Sequence, residues 1–268
     1  MLARVQDVPL RRATGFRQRL AFDLETTGVD PFRDLPVSYA LVLDGAGSTE
    51  GSSGPAVDAG LIDPGVPIPP ESTTVHHITD AMVAGATDLG SAVEHVAAAL
   101  VGVWATGGAV VGMNVSYDLT LLDTALSRLG LDPLGVRSPG LGPVYDVLVI
   151  DRTFDRYRKG KRRLGDLCRH YGVTLHEDDA HDATVDCMAT LAVLDAMLDR
   201  YPEVDELAAD VVSDRMGAWY RTWLGGFSDH MMRNGGQPID DGQFDWPIHR
   251  PPADPAAGSP GAVRGRRS

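Results

Sequence analysis

Two carboxylates lie inside an apolar stretch near the N-terminus, in the segment LAFDLETTG at residues 20–28. Side chains two residues apart on a strand project from the same face of a sheet, so Asp23 and Glu25 would point to one side. An unpaired carboxylate is costly to bury. The pair therefore requires either basic partners from elsewhere in the chain or a bound metal ion, and the rest of the sequence must decide between these answers.

Three consecutive strands are predicted in the first 65 residues, and helices alternate with strands after them. The predicted strands cover residues 17–25, 36–44, 57–63, 109–114 and 143–151. The predicted helices cover residues 89–104, 117–130, 162–172, 181–200 and 203–233. This order predicts an α/β fold in which helices flank a mixed five-stranded sheet, with a helical extension at the C-terminal end.

Composition changes along the chain predict four parts. They are a flexible N-terminal arm at residues 1–15, an α/β domain at 16–200, a helical extension at 201–250 and a disordered tail at 251–268. The tail, PPADPAAGSPGAVRGRRS, is of low complexity and has too few apolar residues to pack a core.

The net charge of −13 argues against a protein that coats long nucleic acid by neutralising its phosphates. No apolar run reaches the roughly 18–20 residues that a membrane span needs. The N-terminus lacks the apolar stretch of a signal peptide, and two cysteines, Cys168 and Cys187, are too few for a disulfide framework. A cytoplasmic protein without a membrane partner is expected.

Further acids follow other predicted elements. Asp118 begins the helix after the strand at 109–114, and Asp186 lies one turn inside the helix opened by His181. Hard divalent cations prefer oxygen ligands, and a neutral histidine nearby can take a proton from water. Asp182 is the alternative to Asp186 if the helix phase differs. An HD-type phosphohydrolase is the other interpretation of His181-Asp182, but those proteins are all-helical and the first 65 residues are rich in strands.

The segments FDLETTG, GMNVSYDLTLL and AHDATVD, in this order, resemble the three motifs of the DEDDh 3′→5′ exonucleases. This family has an RNase H-like fold and includes the proofreading epsilon subunit of bacterial DNA polymerase III, RNase T and oligoribonuclease. The resemblance covers residues 16–200 and implies that this part is an exonuclease domain. The segment from Trp219 to Pro247 has no counterpart in the minimal domain and is similar to the C-terminal part of actinobacterial members.

The resemblance implies a role for each matching residue. Two Mg²⁺ or Mn²⁺ ions would be held by Asp23, Glu25, Asp118 and Asp186, with His181 as the general base. The substrate-binding residues would be Thr26, Thr27, Gly28, His76 and Asn114. The first four would surround the terminal nucleotide, and we expect Asn114 to tie down the turn before its helix rather than to act in catalysis.

The chain departs from the family pattern at three positions. Met113 stands where many members have histidine, Tyr117 where many have phenylalanine, and His77 where the V-H-G-I-T segment has glycine. None of them is among the five catalytic positions. The departures therefore bear on substrate preference rather than on activity.

The resemblance thus implies a metal-dependent 3′→5′ exonuclease that releases nucleoside 5′-monophosphates from single-stranded DNA, in proofreading or DNA repair. Two alternatives remain: an exoribonuclease that acts on short RNA, and an accessory module whose main role is to bind a DNA polymerase. The expected partners are the 3′ end of a single strand, DNA in preference to RNA, and a polymerase.

Overall fold

The computed structural model describes residue 16 and residues 18–45, 54–174 and 182–252. These residues form an α/β fold around one mixed sheet. The strands are β1 (Gln18–Thr26), β2 (Pro36–Gly45), β3 (Ala56–Asp63), β4 (Thr87–Asp88), β5 (Ala109–Gly112) and β6 (Val144–Asp146). The helices are α1 (Pro70–His76), α2 (Asp80–Val83), α3 (Leu89–Ala105), α4 (Val115–Arg128), α5 (Leu134–Arg137), α6 (Val147–Phe154), α7 (Leu164–Tyr171), α8 (Ala183–Arg200), α9 (Pro202–Asp205) and α10 (Val212–Arg233).

The sheet has the strand order β4-β3-β2-β1-β5-β6. The first three strands pair antiparallel as a meander, whereas β1, β5 and β6 are parallel. Parallel neighbours need crossover connections, and the segments that contain α3 and α4 provide them. The predicted mixed sheet is confirmed; the two-residue strand β4 is a sixth strand that the prediction did not include.

The predicted strand over residues 143–151 is wrong beyond Asp146, because the chain turns there into α6. The Asp146 carboxylate caps this helix by accepting hydrogen bonds from Leu148 N at 2.8 Å and Val149 N at 3.4 Å. The run VLVI is buried on all sides, so its apolar and β-branched residues suit a buried helix as well as a strand. The composition of this run favours a strand, but the hydrogen bonds to the Asp146 cap stabilise the helix instead.

The side-chain alternation of β1 decides where its carboxylates point. Leu20, Phe22 and Leu24 belong to the hydrophobic core shared with α3 and α4, whereas Ala21 belongs to the core shared with α8. Because alternate residues share a face, Asp23 and Glu25 lie on the Ala21 side. The first two acids of the sequence therefore face α8.

The C-terminal extension is divided rather than one helix over 203–233, with α9 and a short 3₁₀ helix (Ala209–Val211) before α10. Helix α10 packs against α6 and β6 and buries Met216, Tyr220 and Leu224. The chain then returns to α4, where the backbone N–H of His249 donates to Thr120 Oγ1 at 2.9 Å. None of the helices in the described ranges is both long and apolar enough to span a bilayer.

Candidate active site

The C-terminal end of β1 carries the first two acids of the site. Asp23 and Glu25 are both half-buried and lie on the side of the sheet that α8 covers. The pairing of β1 with β2 changes register between Glu25 and Thr26. Such irregularities bend a strand and redirect its side chains, and they are frequent beside active sites. The irregularity ends the regular strand at the second carboxylate.

The third acid comes from the first turn of α8. Carboxylate oxygens of Asp23, Glu25 and Asp186 lie within 4.8 Å of one another. Asp182, the sequence alternative to Asp186, instead caps the helix by accepting from Thr184 N at 2.9 Å and Val185 N at 3.3 Å. The structure therefore brings Asp186 rather than Asp182 into the group.

The fourth acid, Asp118, reaches the same place from α4. Its side chain is buried, with 5% exposure, and Oδ1 accepts a hydrogen bond from Leu24 N at 3.3 Å. Its charge contributes to the raised pKa of Asp23, the neighbour of Leu24 on β1. Asp118 thus lies beside the three-carboxylate group without belonging to it, and its role as a fourth metal ligand stays a prediction.

The carboxylates raise one another's pKa values. Burial raises the pKa of Asp23 well above its ordinary value, and the charges of Asp118, Glu25 and Asp186 raise it further. Burial, followed by the charges of Asp186 and Asp182, raises the pKa of Glu25 to about 7. Burial also raises the pKa of Asp118, although the Leu24 N–H lowers it. Without a cation, the described part of the site cannot keep all of its carboxylates ionised.

This donor set fits a hard divalent cation. Magnesium and manganese bind carboxylate oxygens, and a cation in the group would stabilise the ionised forms that burial and repulsion disfavour. Asp23 and Glu25 require either basic partners or a bound metal ion. The structure supports the metal ion, because burial and neighbouring carboxylates are what raise the pKa values of both acids.

Stability should depend on pH and on metal at this site. Because folding raises the pKa of Glu25 from 4.5 to about 7, its contribution to stability is present below pH 4.5 and is lost as the pH rises to about 7. The expected loss is roughly 3 kcal/mol in metal-free protein. Thermal denaturation with EDTA, Mg²⁺ or Mn²⁺ measures it.

Metal should therefore raise the melting temperature above about pH 7 and have little effect near pH 4.5, where Glu25 is protonated and cannot serve as a ligand. Glu25→Gln should reduce the pH dependence of the metal-free protein to the part that Asp23 and Asp118 contribute. A melting temperature that does not respond to either metal above pH 7 would argue that these carboxylates are not a metal site.

The turn after β1 is held by its own hydrogen bonds. The Tyr117 hydroxyl donates to the carbonyl of Gly28 at 2.7 Å and lies 3.1 Å from Thr26 Oγ1, while Thr27 Oγ1 donates to Asp34 Oδ1 at 3.1 Å. A Cβ on Gly28 would collide with the Asp34 carboxylate, so a larger residue there would have to displace that side chain and its bond from Thr27. These contacts explain the shape of the turn, and the role of Thr26, Thr27 and Gly28 beside a terminal nucleotide stays a prediction.

Helix α1 supports this turn. Ser72 Oγ donates to the carbonyl of Thr27 at 2.8 Å, and the buried His76 ends the helix, with Nδ1 accepting from Ile78 N at 3.1 Å. His77 follows in the left-handed region at φ 62°. Glycine adopts this conformation without strain, which explains the glycine expected from the family pattern. The substrate-binding role of His76 stays a prediction.

Asn114 begins α4 in a left-handed conformation, at φ 60° and ψ 34°, and its side chain is exposed. Its backbone N–H and that of Val115 donate to the two carboxylate oxygens of Asp146, each at 3.0 Å. The backbone of Asn114 thus belongs to the turn before the helix, and its contact with substrate stays a prediction. Asp146 holds this turn, and the sequence patterns did not single it out.

The fifth proposed catalytic residue, His181, lies outside the described residues. Its assignment as general base rests on the H-x-A-x-x-D motif and stays a prediction.

A second group of metal-binding residue types is formed by Asp151, Asp155 and His170. The Asp151 carboxylate is fully buried and pairs with Arg158 and Arg162. Asp155 pairs with His170 at 2.8 Å. Because two arginines already neutralise the buried acid, this group is a structural ion-pair network and differs in kind from the Asp23 group.

Known proteins resemble the chain in sequence. A family model described as "RNase_T: Exonuclease" matches residues 20–194. The PolC-type DNA polymerase III of Lacticaseibacillus paracasei is 30% identical over 202 residues, which cover 74% of this chain and 12% of that protein. The PolC-type polymerase of Staphylococcus aureus is 26% identical over 213 residues, covering 79% and 13%. The chain thus spans only 12–13% of the length of these curated relatives.

Solved structures share the fold. The zinc-bound complex of E. coli ExoI with single-stranded DNA matches with a TM-score of 0.57 and 20% identity, over 72% of this chain and 42% of that one. Exonuclease I of Methylocaldum szegediense matches with a TM-score of 0.59 and 22% identity, over 76% and 45%. These matches confirm the RNase H-like exonuclease fold, and they cover less than half of those chains.

Proposed function

The chain belongs to the DEDDh-type 3′→5′ exonuclease family, whose RNase T model matches residues 20–194, and on this premise we propose that it shortens single-stranded DNA from the 3′ end. The products would be nucleoside 5′-monophosphates, and the process would be proofreading or DNA repair. The observation that carries the proposal is the convergence of Asp23, Glu25 and Asp186, with carboxylate oxygens within 4.8 Å of one another.

The four acids would hold two divalent cations, Mg²⁺ or Mn²⁺. When bound, such ions stabilise the charge that develops on a phosphate and lower the pKa of water. The protein contributes the positions of the ligands. Asp23 and Glu25 are fixed by the sheet, Asp118 by its bond from Leu24 N and Asp186 by the capped first turn of α8. Catalysis here would consist of positioning and charge stabilisation.

We assign the general base to His181, five residues before Asp186 in the chain. It would take the proton of the attacking water as the water oxygen bonds to phosphorus. The bond from phosphorus to the 3′ oxygen of the preceding nucleotide breaks, and that oxygen takes a proton from solvent water, so the shortened strand leaves with a 3′ hydroxyl. A neutral imidazole suits this step because its ordinary pKa of about 6.5 lies near the working pH.

The proposal is tested with 5′-labelled single-stranded DNA and RNA oligonucleotides of the same sequence, incubated with Mg²⁺, Mn²⁺ or EDTA. We expect a ladder that shortens from the 3′ end with either metal and no cleavage in EDTA. Faster cleavage of RNA than of DNA would replace the DNA proposal with the exoribonuclease alternative. Absence of cleavage of both substrates with both metals would contradict an enzymatic role for the isolated chain.

A polymerase is the proposed protein partner. The relatives from L. paracasei and S. aureus are named as PolC-type DNA polymerases, and the matched segment is a small part of them. On α10, Phe227 and Met232 are 44% and 46% exposed, so part of the extension offers apolar surface. Capture of the replicative polymerase by the full chain, lost on Phe227→Ala with Met232→Ala, would support the accessory role. Unchanged capture by the double variant would exclude this surface.

A further inference from the structure

A cavity of about 410 Å³ lies beside the turn that follows β1, and its lining comes from distant parts of the chain. One wall is formed by residues 29–33, after the turn at Gly28, and by the start of α4 with Asn114 and Tyr117. Tyr220 and His249 of the C-terminal extension also line the cavity. Because Tyr117 lines the cavity and donates to the carbonyl of Gly28 at 2.7 Å, the cavity adjoins the turn to which the terminal nucleotide is assigned.

Hydrogen bonds within the C-terminal extension hold its part of the lining in place. The backbone carbonyl of Gln243 accepts hydrogen bonds from Tyr220 Oη and His249 Nδ1, each at 3.0 Å. The rings of Tyr220 and His249 lie 5.7 Å apart between centroids. The backbone N–H of His249 is tied to Thr120 of α4. The two rings are therefore oriented before any ligand binds, which lowers the entropy lost on binding.

The hydrogen bond to Gln243 fixes the chemistry of the His249 ring. A carbonyl oxygen only accepts, so Nδ1 must carry the proton of that bond. Burial lowers the pKa of His249, which keeps the ring neutral at neutral pH. In a neutral ring with the proton on Nδ1, Nε2 is an acceptor. The wall therefore combines aromatic faces with an acceptor for an N–H group.

Aromatic faces combined with an N–H acceptor suit a nucleobase. The volume falls within the range of small-ligand sites, and base stacking on aromatic side chains is the common mode of single-strand binding. Phe32 and Tyr117 add two further aromatic rings to the lining. The lining does not include the turn Thr26–Gly28 or His76, to which the terminal nucleotide is assigned. A second nucleotide would therefore find a separate place here.

We propose that this cavity binds the nucleotide on the 5′ side of the terminal one, with its base against the His249 ring. The proposal rests on the proposed exonuclease function and gives the C-terminal extension a direct part in holding the strand. It makes His249 a substrate-binding residue, supplied by a segment outside the three family motifs.

The test uses His249→Asn, because the asparagine amide can keep the bond to the Gln243 carbonyl while the ring and Nε2 are lost. Steady-state kinetics are measured with a single-stranded DNA oligonucleotide and with the p-nitrophenyl ester of thymidine 5′-monophosphate, which has one nucleotide. We expect KM for the oligonucleotide to rise about tenfold with little change in kcat, and both constants for the ester to stay unchanged. His230→Asn, on the exposed side of α10, is the matched control and should change neither substrate.

An equal rise of KM for both substrates would overturn the proposal, because the ester has no second nucleotide; so would an unchanged KM for the oligonucleotide. Fluorescence anisotropy with a labelled oligonucleotide separates failure of the cavity from failure of the enzymatic function. Even if the wild-type chain cleaves nothing, about tenfold weaker oligonucleotide binding by His249→Asn than by His230→Asn would support the cavity, and equal binding would overturn it.

Discussion

Asp186→Asn is expected to lower kcat for single-stranded DNA at least about 10³-fold, because it removes an ionised ligand from a site whose function is charge stabilisation. The side chain is nearly isosteric and lies in the first turn of a helix, so the fold should persist. Single-turnover cleavage of a 5′-labelled oligonucleotide with Mg²⁺ or Mn²⁺ measures the effect.

Asp182→Asn is the matched control, four residues earlier in the chain. Asp182 caps α8 through the N–H groups of Thr184 and Val185, and asparagine is an equally good cap. We expect activity within about threefold of the wild type, because the substitution removes one negative charge that acts on Glu25 but removes no proposed metal ligand. Loss of activity in Asp182→Asn with activity retained in Asp186→Asn would reverse the assignment of the ligand.

A readout besides activity comes from the repulsion within the site. The charge of Asp186 raises the pKa values of Asp23 and Glu25, so its removal relieves repulsion in the metal-free protein. The melting temperature of Asp186→Asn in EDTA should equal or exceed that of the wild type, and its increase with metal should shrink. A strongly lowered melting temperature in EDTA would instead assign Asp186 a structural role.

The positions of the acids were accessible to sequence reasoning because each lies in a short motif whose local structure is simple. Alternation along β1 put Asp23 and Glu25 on one face, and the motif H-x-A-x-x-D put Asp186 at the start of a helix. Their convergence depends on which strands are neighbours. The order β2-β1-β5 brings α4 to the end of β1, and a single sequence read by periodicity does not contain that order.

Two features were beyond such reasoning for different physical reasons. The segment VYDVLVID reads as a strand because its apolar residues show no period, and the capping bonds of Asp146 are what turn it into α6. The wall at His249 depends on a bond to Thr120, 129 residues away, and no local pattern indicates it. Long-range packing is a tertiary interaction, and both it and helix capping override the local secondary-structure propensity.

Asp146→Ala should be the most destabilising substitution near the site. The buried carboxylate accepts from four backbone N–H groups, two at the start of α4 and two in the first turn of α6: Asn114, Val115, Leu148 and Val149. Alanine would leave these donors without their acceptor in a buried place. We expect the free energy of unfolding to fall by about 3–5 kcal/mol, measured by urea denaturation.

Activity should fall as well, because Asp118 lies in the first turn of α4. If the start of this helix shifts, a proposed metal ligand shifts with it, although Asp146 itself is not a ligand. Asp88→Ala is the control for an exposed cap, since Asp88 accepts from Ser91 N at 3.0 Å and caps only α3. It should cost only a fraction as much stability and leave activity unchanged. Asp146→Asn should fall between the two, because its amide oxygen can keep the three bonds to Oδ1 while its NH₂ group is set against the Val115 N–H that Oδ2 served. Equal stability losses for Asp146→Ala and Asp88→Ala would show that Asp146 does not join the two helices to the carboxylate site.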